Sequence, residues 1–337
     1  MRSVVLTRLF LAVLGLLVLL VIAGIVYEQL GERRDDKRYA RVGLPVDIGG
    51  RTLNIDCAGT GSPTVILEGG YGWKNIQVEI ARTTRVCWYD RAGMGWSDPG
   101  PYPRTASAIA DDLHLLLANA QEQPPFVLVG ASFSGFPVRV FAGKYKSEVA
   151  GLVLVDAVHE DQQEPDRFKS PANRLPAPVR RVLCGLLPSF GRIGLVRLVL
   201  HTRSNTQEQS TSSTTSDQNE YSRFLANLPK ATVANGSEGC HWAESASEAR
   251  AAGGFGNIPL IVLTAGRGFA PEDKDAAAFH ENFVHNLQPQ LAQLSTRGRQ
   301  IIVPESGHAI QFEAPAAVVS AIKEVVAEVQ QARGRQP

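Results

Sequence analysis

One short segment combines residue types that could carry nucleophilic chemistry: Val127-Leu128-Val129-Gly130-Ala131-Ser132-Phe133-Ser134-Gly135. The pattern predicts an apolar strand that runs into a sharp turn and then into a helix, with Ser132 at the turn. A serine in that place stands clear of the sheet, and small residues must flank it because strand and helix pack closely. Ser134 stands where glycine is usual, so we expect the turn to form with slightly more backbone strain. We interpret Ser132 as a nucleophile; the alternative is an ordinary serine in a strand–helix loop.

A serine nucleophile needs a general base, and His308 is the best placed of the seven histidines. It follows a predicted strand and Gly307, just before the last predicted helix. His114 falls on the surface pattern of a helix. The remaining histidines lie in or beside the irregular region after residue 158: His159, His201, His241, His280 and His285. The alternative for His308 is a structural histidine in its loop.

The elements that must position these residues are short apolar strands that alternate with helices. This alternation predicts a mostly parallel sheet covered by helices on both faces. Gly49-Gly50 is a hairpin signal between the first two strands. The predicted strands are Val46–Ile48, Thr52–Cys57, Thr64–Glu68, Arg85–Asp90, Phe126–Val129, Gly151–Val155, Ile258–Thr264 and Gln300–Val303, and the predicted helices are Thr105–Asn119, Gly135–Lys146 and Ala316–Gln330.

The alternation breaks between residues 158 and 256, where the chain is helical in places and proline-rich in others. An insertion between two strands of one sheet predicts a helical cap over the carboxyl ends of the strands. Within it, Ser204–Ser216 is almost wholly polar and predicts a mobile loop. The core is accordingly expected at residues 45–157 and 257–337.

The N-terminus is apolar, because no charged side chain occurs from Leu9 to Tyr27. A helix of that length, at about 1.5 Å per residue, nearly crosses the hydrocarbon core of a membrane. We interpret residues 1–27 as a transmembrane anchor and residues 28–44 as a linker. The alternatives are a cleaved signal peptide, for which Ala23-Gly24-Ile25 is a poor cleavage site, and a buried helix of a soluble protein. Arginines and lysines flank both ends of the segment, so charge alone leaves its orientation open.

Composition excludes some classes of function. The chain is 44% hydrophobic and 20% charged with a formal net charge of +1, so a nucleic-acid partner has no electrostatic signature. No metal-binding or phosphate-binding motif occurs, and we expect neither a metal nor a cofactor. The four cysteines, Cys57, Cys87, Cys184 and Cys240, are an even number that fits disulfides in an oxidising compartment, although four unrelated buried thiols are the alternative.

Four blocks of sequence together are similar to the alpha/beta-hydrolase superfamily, in particular its esterase/lipase-like branch. The resemblance extends over residues 46–330, with the cap loosely matched. It implies an alpha/beta-hydrolase fold: a mostly parallel, eight-stranded sheet flanked by helices, with a helical cap insertion. The blocks are Val65–Gly72, Trp88–Ser97, the Ser132 segment with Leu152–Asp156 after it, and Ser306-Gly307-His308.

The resemblance also implies further site residues. The triad acid most often follows the strand that ends at Ala265, where this chain has no acidic residue; Asp156, at the end of the preceding strand, is our first choice. Glu272, Asp273 and Asp275 are the alternatives. Two backbone N–H groups should bind the oxyanion, one from Phe133 and one from Gly70 or Tyr71. Cys57 and Cys87 should lie on neighbouring strands, where they could form a disulfide.

These inferences predict a membrane-anchored serine hydrolase that cleaves a carboxylic ester or related acyl bond of a small molecule without a cofactor. Ser132 would attack, His308 would transfer the proton and Asp156 would orient His308. A periplasmic or extracellular catalytic domain is expected from the cysteines. The alternatives are another reaction on the same fold, such as C–C bond hydrolysis, amide cleavage or perhydrolysis, and a non-catalytic membrane-tethered binding protein.

Overall fold

The computed structural model describes residues 2–162, 175–207, 221, 224–225, 227–268 and 272–334. Eight strands form one sheet in the order β1-β2-β4-β3-β5-β6-β7-β8, in which β1 and β4 pair antiparallel to β2 and all other neighbours are parallel. This confirms the predicted fold class. The strands are β1 (Leu44–Asp47), β2 (Thr52–Ala58), β3 (Thr64–Glu68), β4 (Val86–Tyr89), β5 (Phe126–Ala131), β6 (Val149–Val155), β7 (Leu260–Ala265) and β8 (Gly298–Val303).

Helices cover both faces of the sheet because the central strands are apolar on both sides. Ile66 and Leu128 face one hydrophobic cluster, and their neighbours Val65 and Val127 face the other. The flanking helices are α2 (Lys74–Ile80), α3 (Ala106–Asn119), α4 (Gly135–Lys144), α9 (Lys274–Asn282), α10 (Gln288–Ala292), α11 (Ile310–Glu313) and α12 (Pro315–Gly334). Thr105 caps α3, as predicted, by accepting a hydrogen bond from the Ala108 N–H at 3.3 Å.

An insertion between β6 and β7 carries four described helices: α5 (Ala177–Arg192), α6 (Leu195–Gln207), α7 (Pro229–Cys240) and α8 (Trp242–Ala251). It packs on the core through the apolar residues Trp242, Ala246 and Ala249 and through polar side chains. Ser237 Oγ accepts a hydrogen bond from the Arg104 N–H at 3.1 Å, and Ser245 Oγ accepts one from the Ala106 N–H at 3.0 Å. The predicted polar loop falls largely outside the described residues, although its first residues belong to α6.

The N-terminal helix α1 extends from Arg2 to Arg38 and is long and apolar enough to cross a membrane. It differs from the prediction at one end, because residues 28–38, expected as a linker, continue the helix. The helix persists there because charged residues follow one another without glycine or proline after Gly31. Only residues 39–43 are left to connect α1 to β1.

Two disulfides join distant parts of the chain. Cys57 and Cys87 pair directly across β2 and β4, with 4.1 Å between their Cα atoms, as expected from the resemblance. Cys184 of α5 is bonded to Cys240 of α7, with 6.1 Å between their Cα atoms. The second disulfide fixes the outer helix α5 to a helix that contacts the core.

Candidate active site

The structure brings Ser132, His308 and Asp156 together in one hydrogen-bonded chain. Ser132 Oγ lies 2.9 Å from His308 Nε2, and Asp156 Oδ2 lies 2.6 Å from His308 Nδ1. The other carboxylate oxygen of Asp156 accepts a hydrogen bond from the Ala265 N–H at 2.8 Å. Asp156 is buried, whereas the His308 side chain remains 36% exposed. This arrangement allows His308 to take a proton from Ser132 while Asp156 holds the tautomer of the imidazole ring.

The turn that presents Ser132 has strained backbone at the serine itself. Ser132 has a φ of 53°, in the left-handed region that non-glycine residues rarely adopt. Gly130 is required beside it, because a Cβ there would lie 2.6 Å from the Ser134 carbonyl oxygen. Ser134, by contrast, has an ordinary helical φ of −58°. The strained backbone of the turn therefore lies at Ser132 and not at the serine that replaces the usual glycine.

The alternative acids lie elsewhere. The side chain of Asp273 caps α9 by accepting hydrogen bonds from the N–H groups of Asp275 and Ala276. Glu272 and Asp275 are exposed. Asp156 instead ends β6 beside the nucleophile turn, with a left-handed φ of 43°. A hydrogen bond of 3.1 Å from the Val158 N–H to the Ser132 carbonyl joins the two turns.

The loop expected to supply the second oxyanion donor follows β3 as a short 3₁₀ turn, Gly70–Trp73. Only glycine fits at position 70, since its φ is +83° and a Cβ would lie 2.5 Å from Asp90 Oδ1. The Trp73 indole N–H donates to the Glu68 carbonyl oxygen at 2.7 Å and closes the turn. The loop lies next to the Ser132 segment, since a Cβ on Gly69 would lie 3.7 Å from Ser134 Oγ, and the Gly70 and Tyr71 N–H groups are the two candidates for the donor.

A cavity of about 350 Å³ opens over Ser132 and His308. Its walls are mainly apolar, and they come from the core, the cap and the segment that follows β7. Such a lining suits a small molecule with an apolar portion next to the reacting bond. The lining residues are Ser132, Asp156, Val158, Gln162, Trp242, Ala265, Arg267, Phe279, His280, Phe283 and His308.

A second polar system lies buried beneath the Ser132 turn and is centred on Arg91. The guanidinium donates through Nη1 to both oxygens of Glu68 at 2.9 and 3.0 Å and to Ser134 Oγ at 3.1 Å. Its Nε and Nη2 donate to the two oxygens of Glu238, on cap helix α7, at 2.9 and 3.0 Å. Ser134 thus has a role that glycine could not fill, because its hydroxyl joins the turn to this network.

Burial and the neighbouring charges shift the pKa values of the groups in this network. Burial lowers the pKa of Arg91, but the two carboxylates outweigh that effect and hold it above its ordinary value. Burial and the nearby Glu68 raise the pKa of Glu238, because two carboxylates share one guanidinium. Beside them, burial raises the pKa of Asp90 to about 6 despite hydrogen bonds from the Trp96 N–H and the Asn54 amide.

Sequence reasoning missed the Arg91 network. No site role was predicted for Asp90 or Arg91, and the contact to Glu238 spans 147 positions. A signal was present, since Glu68 is the last residue of β3 and Arg91 comes two residues after the end of the neighbouring parallel strand β4. It also missed the cavity residues Phe279, His280 and Phe283, which lie beyond β7 where no pattern marked them. A group formed by Cys57, Cys87 and Glu122 offers no metal site, because the two sulfurs are joined in a disulfide.

A family model described as "Alpha/beta hydrolase family" matches residues 57–321. A curated relative, the uncharacterized protein YqjL of Bacillus subtilis, is 28% identical over 288 residues, which are 82% of this chain and 91% of that protein. Several other relatives are matched over less than half of their own length. An uncharacterized Schizosaccharomyces pombe protein is 41% identical over 87 residues, which are 26% of this chain and 16% of that protein.

Solved structures show the same fold. A thermophilic esterase from Thermogutta terrifontis superposes with a TM-score of 0.57 at 21% identity, covering 85% of this chain and 98% of the esterase. The enol-lactonase from Burkholderia xenovorans superposes with a TM-score of 0.58 at 15% identity, covering 84% of this chain and 100% of that enzyme. At such identities the likeness extends to the architecture and leaves the substrate open.

Proposed function

Because the chain belongs to the alpha/beta hydrolase family, we propose that it is a serine hydrolase that cleaves a carboxylic ester or related acyl bond. The observation that carries this proposal is the hydrogen-bonded chain from Ser132 through His308 to Asp156 at the floor of an apolar cavity. Residues 45–157 and 257–337 form the catalytic core in this proposal, and residues 158–256 form its cap.

The reaction follows from the geometry of the three residues. His308 Nε2 accepts the hydroxyl proton as Ser132 Oγ attacks the acyl carbon, and the Phe133 N–H with that of Gly70 or Tyr71 stabilises the oxyanion. His308 then returns the proton to the leaving group, and an acyl-enzyme remains on Ser132. Water activated by His308 hydrolyses this intermediate.

An active-site-directed fluorophosphonate tests the proposal. We expect the probe to label the wild-type protein and the Ser134→Ala variant, and to leave Ser132→Ala unlabelled. Ser134→Ala is the matched control because it removes a hydroxyl two residues away on the same turn. A wild-type protein that is not labelled, or a Ser132→Ala variant labelled equally, would overturn the enzymatic assignment in favour of a binding protein on a hydrolase scaffold.

We further propose that α1 anchors the protein in a membrane, with the catalytic domain on the periplasmic or extracellular side. The two disulfides support this side, since disulfides persist in oxidising compartments. Contacts between α1 and the cap support a retained helix. Non-reducing peptide mapping of protein from its native membrane is the test: free thiols at all four cysteines would remove the argument for the outer side.

A further inference from the structure

The cap carries an apolar surface that the described protein leaves uncovered. On α5, Val179, Val182, Leu183 and Leu186 are all exposed, and they recur at the spacing of one helix face. On α6, Leu195, Leu198 and Val199 repeat the same spacing and are also exposed. We name these seven residues the cap stripe. So large an aliphatic surface in contact with water is unusual for a protein that has no partner there.

The opposite face of α5 is firmly held by the fold. Cys184 is bonded to Cys240, and Leu187 packs so closely on Gly236 that a Cβ there would lie 2.4 Å from its Cδ2 atom. The cap stripe therefore cannot turn inward by a rotation of α5. It is a fixed outer surface of the cap.

The bend between α5 and α6 packs directly on α1. Gly24 and Gly194 cross so closely that a Cβ on Gly194 would lie 2.7 Å from the Gly24 carbonyl oxygen, and a Cβ on Gly24 would lie 2.2 Å from that of Ile193. One turn further along, Arg197 donates to both oxygens of Glu28 at 3.0 and 2.9 Å and to Asp35 at 2.8 Å. The bend is thus fixed at one position along the axis of α1.

This position is near the end of the charge-free segment of α1. Gly24 lies three residues before Tyr27, so at about 1.5 Å per residue the crossing is one helical turn inside the end of the segment. Glu28 is the first charged residue beyond it. With α1 across a bilayer, the bend between α5 and α6 lies at the boundary between acyl chains and headgroups. The two helices leave this point at 85° to each other.

We infer that the cap stripe lies in the surface of the same bilayer that holds α1, so that α5 and α6 bind lipid as interfacial helices. The inference rests on the proposed anchoring by α1. Amphipathic helices of this kind bury their apolar face to about 5–10 Å in the headgroup and acyl boundary. Continuity with α1 favours lipid over a second protein, because the bend between the two halves of the cap stripe packs on α1 near the end of its charge-free segment.

Depth-dependent fluorescence quenching on the full-length protein in lipid nanodiscs tests this inference. Single cysteines are introduced and labelled with an environment-sensitive fluorophore; the four native cysteines are bonded in disulfides and do not compete. Val182→Cys reports on the cap stripe. Leu14→Cys, at an exposed position of α1, reports on anchoring, and Val78→Cys, at an exposed position of the core helix α2, is the matched control in water.

With lipids brominated near the top of the acyl chain, we expect the Val182 label to be quenched at least about threefold more than the Val78 label. Quenching of Leu14 without quenching of Val182 would overturn the inference and leave the anchoring intact. Quenching of Val182 without quenching of Leu14 would support lipid binding by the cap and overturn the anchor. In nanodiscs that hold two copies of the protein, the Val182 label could be blue-shifted but not quenched. That result would show that another copy covers the cap stripe, and it would overturn the inference.

Discussion

Ser132 and Ser134 lie two residues apart on one turn, yet their hydroxyls belong to different hydrogen-bond systems. Ser132 faces the cavity and bonds to His308, which is partly open to solvent. Ser134 faces inward and bonds to Arg91, whose side chain is 9% exposed. We expect the partly open contact to serve proton transfer and the buried charges to fix the position of the elements around it. The comparison separates the residues expected to act in the reaction from those expected to hold the turn, the oxyanion loop and the cap together.

The largest contrast should come from the two serines themselves. Ser132→Ala removes the nucleophile, and we expect kcat/KM to fall by at least about 10³-fold. Ser134→Ala keeps the nucleophile and loses one hydrogen bond of a guanidinium that retains two carboxylates, so its activity should stay within about tenfold of the wild type. Steady-state hydrolysis of p-nitrophenyl esters measures both. Equal losses in the two variants would contradict the division into two systems.

Asp156→Asn probes the inner end of the triad. The amide oxygen can still accept from the Ala265 N–H, but its NH₂ group would face His308 Nδ1 and favour the wrong tautomer. In serine proteases the equivalent change lowers kcat by about 10⁴-fold with the geometry retained, and we expect a loss of that order here. Circular dichroism provides the control for folding, and Asp273→Asn is the matched variant, which should keep its activity.

Glu238→Gln tests the buried system through stability. The change removes one of two carboxylates from Arg91 and weakens the link between α7 and the core. Breaking a buried pair on one side costs about 3 kcal/mol, which for a chain of this size lowers the melting temperature by roughly 4–5 °C. Thermal unfolding in detergent measures the shift. The exposed Glu244→Gln on α8 should change it by less than about 1 °C, and a similar shift in both variants would count against the network.

Asp90→Asn tests the buried system through pH and should give the smallest effect. Burial raises the pKa of Asp90 from 3.8 to about 6, so the fold favours its neutral form. Its contribution to stability is present below pH 3.8 and is lost as pH rises through about 6. The variant cannot ionise, and we expect it to gain about 2–3 kcal/mol relative to the wild type between about pH 4 and pH 7. Urea unfolding of both proteins across this range gives the difference, and a constant difference would contradict the raised pKa.

Much of the core could be predicted because its signals are local. Apolar strands such as β5 and β6, the turn at Ser132 and the cap of α3 by Thr105 each depend on a few consecutive residues. The choice of Asp156 and the pairing of Cys57 with Cys87 came from the family resemblance, which orders the strands. These local signals also placed both ends of β6 and β7 to within two residues of those observed.

The cap could not be read in the same way because its contacts are long-range. No local pattern pairs Arg91 with Glu238, or Cys184 with Cys240, when the partners are separated by 147 and 56 positions. The helical state of residues 28–38 was missed for a related reason. Its charges suggested a solvated linker, whereas Glu28 and Asp35 are fixed by Arg197 of α6.

The ion pairs of Arg197 with Glu28 and Asp35 decide where the chain can be shortened to obtain a water-soluble form. A cut after Arg38 would remove Glu28 and Asp35 and leave the largely buried Arg197 without either carboxylate. A cut just before Gly24 would discard most of the apolar segment and keep both acids, together with the glycine on which the bend between α5 and α6 rests. The longer form should therefore be the one that purifies with an intact cap, although the shorter one carries fewer apolar residues.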